Sequence, residues 1–209
     1  MKYGSGAGIT SSFGALGLDL RLISALPLHL ADMAQFSVAT GLRQANVTRL
    51  QRKQISLERR HLWVGADRHT NGSAHSLPLN QAAMDVLERR QGDHQIYVLT
   101  YEDKPVVQVN TKARCNALQR VGIKDLRWHD LRHTFATWHW EAGTPTHELQ
   151  RLGGWETQSI VERYAHVAPE GLQFAASRLD SMLQNACVTS QVHLVSVPTS
   201  KDSNEHFNV

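Results

Sequence analysis

Cysteine is nearly missing from this chain: Cys115 and Cys187 are the only two. That excludes a disulfide scaffold, and neither lies in a metal-ligand spacing such as CxxC, so both read as reduced thiols of a cytoplasmic protein. There is also no run of about eighteen apolar residues, the length a membrane helix needs, so no membrane span is expected. Residues 1–20 are rich in Gly and Ser but hold no compact apolar segment of the kind a secretory leader carries. They read as part of a flexible leader over 1–21. A strong excess of one charge is lacking too: 22 Lys and Arg against 19 Asp and Glu leave +3. That balance permits a polyanionic partner without demanding one. What is present is 209 residues with 41% apolar content, enough for one ordinary domain with a single core, expected over 22–187, and a polar tail over 188–209.

Apolar residues at Leu26, Leu30, Met33, Ala34 and Phe36 predict a helix over 26–40 that Gly41 stops, because glycine adopts the left-handed C′ conformation cheaply. A short amphipathic segment with Ala45, Val47 and Leu50 follows, carrying Arg49, Arg52 and Lys53. Residues 61–64 and 76–79 read as strands of a hairpin whose loop holds Asn71-Gly72. Asn80 is the expected N-cap of a helix over 81–91, with Leu79 and Met84 as a hydrophobic staple and Gly92 as the stop. A strand pair is expected over 96–107. Asn110 is then expected to cap a helix ended by Gly122. Further helices are expected over 129–142, from Pro145 as the first helical residue toward Leu152, and over 160–164. Leu172, Ala175, Ala176, Leu179, Met182 and Leu183 predict a last amphipathic helix.

The chemistry concentrates at His129-Asp130-Leu131-Arg132-His133. On a helix, positions three and four apart both neighbour the first. His129 with Arg132 suggests a phosphate site, whereas His129 with His133 is close to the HExxH zinc pattern and leaves a zinc-dependent hydrolase as an alternative. Phosphate is favoured because no third ligand follows at a recognised spacing, and because a cation beside an arginine is electrostatically costly.

Four segments in order are Ala39-Thr40-Gly41-Leu42-Arg43, then Trp128 through Thr137 with the histidines above, then Leu152-Gly153-Gly154-Trp155, then Glu162-Arg163-Tyr164-Ala165-His166. Together they resemble the tyrosine recombinase (phage integrase) family over most of the chain. The resemblance implies a mainly α catalytic domain with a small antiparallel β-sheet. It also implies site-specific DNA cleavage and rejoining through a 3′-phosphotyrosine, with no metal and no cofactor. By the same resemblance Arg43 and Arg132 grip the scissile phosphate, a task suited to planar guanidinium forks. His129 is the acid/base residue, Trp155 takes the place where the family has His or Trp, and Tyr164 is the nucleophile.

The family's hairpin lysine is replaced here by Thr70, a poor proton donor, and only 1–21 precede the match where the family usually carries a core-binding domain. A catalytically impaired remnant that only binds DNA is therefore an alternative. Double-stranded DNA is the expected partner, with self-association on it. The expected phosphate contacts are Arg49, Arg52, Lys53, Arg68, Lys112 and Arg114.

Overall fold

A computed structural model describes residues 20–65 and 74–164. The chain begins with α1 (Leu20–Ala25), α2 (Leu28–Thr40) and α3 (Gln44–Thr48), then a single 3-10 turn at Arg52–Gln54. Strands β1 (Ile55–Ser56), β2 (His61–Val64) and β3 (His75–Pro78) form an antiparallel sheet in the order β1-β2-β3, with Leu62 opposite Leu77 and Trp63 opposite Ser76. Next come α4 (Gln81–Arg89), a minimal hairpin of β4 (Thr100–Tyr101) and β5 (Lys104–Pro105), and α5 (Lys112–Arg120). The last described elements are α6 (Asp130–Glu141), α7 (Thr146–Gly153) and α8 (Gln158–Glu162). No described helix is long and apolar enough to cross a membrane.

Helix α2 is the hub, packed on both α4 and α6. A surface helix shows one apolar stripe, but α2 buries Leu30, Met33, Ala34, Phe36 and Val38 together with Asp32, Ser37 and Thr40, as a helix enclosed on most sides must. Each fully buried Leu, Met or Phe stabilises the fold by about 1.5–3 kcal/mol. The polar residues find partners locally: Ser37 Oγ donates to the Met33 carbonyl at 2.7 Å, and Thr40 Oγ1 to that of Phe36 at 2.6 Å. Asp32 accepts from Arg89 at 2.7 Å and from Arg90 at 2.7 Å, which ties α2 to the end of α4.

Several sequence expectations shift by a residue or two. Asn80 caps α4 as expected, its side chain accepting from the Ala83 N–H at 2.9 Å. Leu79 and Met84 are both buried. Helix α5, however, is capped by Thr111, whose hydroxyl accepts from the Arg114 N–H. Asn110 instead accepts from the Arg114 guanidinium at 3.0 Å. Pro145 is the N-cap of α7, with extended ψ of 144°, rather than its first helical residue. The strand pair over 96–107 shrinks to two residues a side, plus a single bridge between Gln51 and Tyr97. Its apolar residues Val98, Leu99 and Val106 go into the core, so burial rather than pairing organises that stretch. Helix α1 and strand β1 add to the elements that the sequence pattern predicts. Asn71-Gly72 and the helix expected around Leu172 to Leu183 lie outside the described residues.

Candidate active site

Gly41, at the end of α2, adopts φ 64° and closes the helix by donating its N–H to Ser37 O at 2.9 Å. A side chain there is also excluded by packing, since a β carbon would lie 2.4 Å from the Phe135 ring. The turn delivers Arg43, half-buried in extended conformation at the N-cap of α3. A second glycine turn ends α7: Gly154 has φ 61°, and the Trp155 N–H returns to Gln150 O at 3.0 Å. The indole of Trp155 lies directly over Gly153, where a β carbon would fall 1.8 Å from Cζ3.

Arg132, on α6, bridges these two turns. One of its Nη atoms donates to the Gly41 carbonyl and the other to Gly153 O at 2.7 Å. Its guanidinium carbon stands 4.2 Å from the centroid of the Trp155 ring, a cation–π contact. The side chain is only 4% exposed. Burial, with the Arg43 charge adding to it and Tyr164 opposing, lowers its pKa to about 10. It stays charged at neutral pH, a buried cation whose unused donors suit an anionic guest.

Two imidazoles flank it. His129 is the solvent-exposed N-cap of α6, and Asp130 behind it accepts from the Arg127 N–H at 2.8 Å and pairs with the Arg127 guanidinium at 3.0 Å. Partial burial lowers the His129 pKa, helped by the charges of Arg132, Arg127 and Arg43 and opposed by Asp130. His133 lies one turn on, its ring edge-on to His129 at 4.8 Å between centroids. Its Nδ1 is 2.7 Å from the Tyr164 hydroxyl. Burial lowers its pKa as well, with His129 adding to the effect. The Tyr164 ring packs 6.0 Å from that of Trp155, and burial raises its phenol pKa against the opposing pull of Arg132 and Arg163.

The structure thus brings Arg43, His129, Arg132, Trp155 and Tyr164 into one constellation, with the Arg43 charge acting on both Arg132 and His129. His133 belongs to it too. From the sequence His133 reads as a metal ligand beside His129 or as a residue that merely packs or meets water; its spacing of four from His129 is the signal for a shared face. Among the described residues no group of three His, Cys, Asp or Glu is placed to hold a metal ion.

The basic residues divide. Arg49, Lys53 and Lys112 are exposed. Arg114, expected on the DNA surface, is instead buried, its guanidinium donating to Leu126 O and to Asn110. The physical reason is that the loop before α6 needs a donor for a buried carbonyl, and Arg114 is the residue of α5 that faces it. Arg52 spends Nε on His94 O at 2.6 Å and Nη2 on Arg90 O at 2.5 Å, pinning a loop. Arg68 and Thr70 lie outside the described residues. Strand β3 packs beside the turn that ends α7, because a β carbon at Gly154 would meet the His75 ring at 2.4 Å.

This is the fold of tyrosine recombinase catalytic domains. The catalytic domain of bacteriophage HP1 integrase superposes with a TM-score of 0.56 at 21% identity, covering 76% of this chain and 89% of that one. The Tn1549 transposon integrase in complex with a circular intermediate DNA gives 0.62 at 18% identity, covering 77% and 63%. The chain belongs to the phage integrase family, whose model matches residues 19–170. The integrase of Salmonella phage P22 is 38% identical over 176 residues, 78% of this chain and 45% of the relative. Tyrosine recombinase XerD of Lacticaseibacillus casei is 29% identical over 160 residues, 70% of this chain and 54% of the relative. The chain therefore spans about half the length of these two relatives.

Proposed function

We propose that this chain catalyses site-specific DNA cleavage and rejoining, with Tyr164 as nucleophile and double-stranded DNA as substrate. The observation that carries this reading is a buried guanidinium and two imidazoles at the N-terminal end of α6, held against the C-terminal ends of α2 and α7, with the phenol that follows α8 brought to 2.7 Å from one of those imidazoles. Tyr164 attacks the scissile phosphorus, forming a 3′-phosphotyrosine and releasing a 5′-hydroxyl; the reverse attack by a partner strand's hydroxyl rejoins DNA. The phosphoester bond is conserved, so the exchange needs no external energy source.

Arg132 and Arg43 neutralise the charge that builds on the non-bridging oxygens, where preorganised donors act most strongly. Burial costs Arg132 solvation before the substrate arrives, and a bound phosphate offsets that cost. His129, exposed at the helix end, is placed to exchange protons with the substrate. Trp155 holds the Arg132 plane through its face. Exposed Arg49, Lys53 and Lys112 supply sequence-independent phosphate contacts, so affinity is expected to fall steeply with salt. Self-association on DNA and a cytoplasmic site of action complete the reading, with the catalytic unit over 22–187.

The test is to incubate the chain with a pool of nicked suicide duplexes randomised around the nick and to look for denaturant-resistant protein–DNA adducts. Adducts are expected with the parent chain and none with Tyr164→Phe, while DNA retention on a filter stays nearly equal. An adduct that survives in Tyr164→Phe moves the nucleophile elsewhere.

A further inference from the structure

We propose that His133 is a further catalytic residue, the base that takes the Tyr164 proton as the phenol oxygen attacks phosphorus. The inference rests on the recombinase reading and deepens it. Three observations carry it. The hydroxyl of Tyr164 is within hydrogen-bond distance of His133 Nδ1, at 2.7 Å. Arg132 and Arg163, the charged groups that act on the phenol among the described residues, have no lone pair to accept a proton. His129, the obvious candidate from its motif, is exposed at the N-cap of α6, its ring edge-on to that of His133 at 4.8 Å between centroids, and it is His133 whose nitrogen meets the phenol.

The two imidazoles thereby divide the work that one motif histidine would otherwise carry alone. His133 serves the nucleophile, and His129 serves the substrate side. Groups facing His133 are His129, Asp130 and Arg132 on its own helix, Arg127 in the preceding turn, and Tyr164 after α8. Burial and three of these neighbours hold the ring neutral against the single opposing carboxylate of Asp130. A neutral ring is the form that accepts.

In the step, the Oη–H bond breaks and its proton passes to Nδ1, giving an imidazolium. The freed electron pair forms the Oη–P bond. The P–O5′ bond breaks with its pair going to the 5′ oxygen, which takes a proton from water. In rejoining, the 5′-hydroxyl attacks phosphorus and gives up its proton to the hydroxide that the first step left in solvent; the Oη–P bond breaks as the P–O5′ bond forms, and the imidazolium returns its proton to Tyr164.

A 5′-bridging sulfur substrate isolates this role, since a thiolate leaves without needing a proton. With the full chain and sulfur-bridged duplexes from the same pool, His133→Ala is expected to slow adduct formation by about 10²- to 10⁴-fold. Free imidazole should restore part of the rate. Parent cleavage should be flat across neutral pH, whereas the variant's should climb with hydroxide concentration. Unchanged rate and pH profile in His133→Ala would overturn the proposal, as would faster cleavage, which would make His133 a brake. A loss that imidazole does not rescue, with the parent's pH profile retained, would also overturn it and leave only a structural role.

A second measurement needs no DNA and no variant at His133. Nitrogen NMR of the parent chain should find His133 Nδ1 unprotonated, with a resonance that moves in Tyr164→Phe. A proton resident on Nδ1 would overturn the proposal by itself. Absence of any adduct from the parent chain on either substrate would instead bring down the recombinase reading, and this inference with it.

Discussion

Arg132 shows how much one residue can carry. It joins the end of α2 to the end of α7 through two carbonyls and stacks on Trp155. A lysine keeps the charge but has a single ammonium, which cannot span two carbonyls and lie flat on an indole. Arg132→Lys is therefore expected to cut adduct formation by at least about 10²-fold, the usual loss for one preorganised donor, and to lower stability as well. Suicide-substrate kinetics and thermal melting of the same preparation check both; wild-type values in either would separate the structural from the catalytic role. The motif offers Arg132 as a candidate phosphate ligand. It does not show the structural bonds of Arg132, because both acceptors are backbone carbonyls, at Gly41 and Gly153, which no side-chain pattern advertises.

At the scale of elements, the site is made by two helix ends that stop on glycine. Gly41 lies at positive φ and directly against the Phe135 ring. Gly41→Ala is expected to cost about 2–4 kcal/mol, combining left-handed strain on a β carbon with overpacking of a ring that is itself buried. Urea unfolding measures this, and a loss below about 1 kcal/mol would mean that the turn relaxes without disturbing α6. The stop itself was readable from glycine after an apolar run. The choice of Thr111 over Asn110 as cap of α5 was not, because asparagine is by type the better cap, and here its side chain is instead engaged by the Arg114 guanidinium. The strand pair over 96–107 failed as a reading for a related reason: short apolar runs look alike whether they pair or merely fill a core.

For the whole molecule, four described histidines, His29, His129, His133 and His139, have pKa values lowered chiefly by burial. A depressed folded-state pKa means that the unfolded chain binds protons first as pH falls. Stability is then full above the ordinary imidazole value of 6.5 and declines as pH falls below it toward the lowered values. Melting temperature should be level from pH 7 to 8 and drop toward pH 5, and replacing His139 with Gln, away from the proposed chemistry, should soften the drop. A melting temperature that rises on acidification would reverse the sign argued here.

The amino-acid sequence by itself determined the family and the mainly helical class, and it pointed to Arg43, His129, Arg132, Trp155 and Tyr164 as candidates, because these depend on residue types in a fixed order with glycine stops between them. It also placed several helix starts and ends to within a residue or two, since caps act within a few residues. Only the tertiary structure decided which charges face outward and which nitrogen meets the phenol. Arg114 and Lys112 sit two positions apart on one helix, yet one is buried on a carbonyl and the other is exposed. His133 meets Tyr164 from 31 positions away. Such choices depend on long-range packing, where burying a polar group requires a partner at hydrogen-bond distance, and no local pattern records where that partner will be.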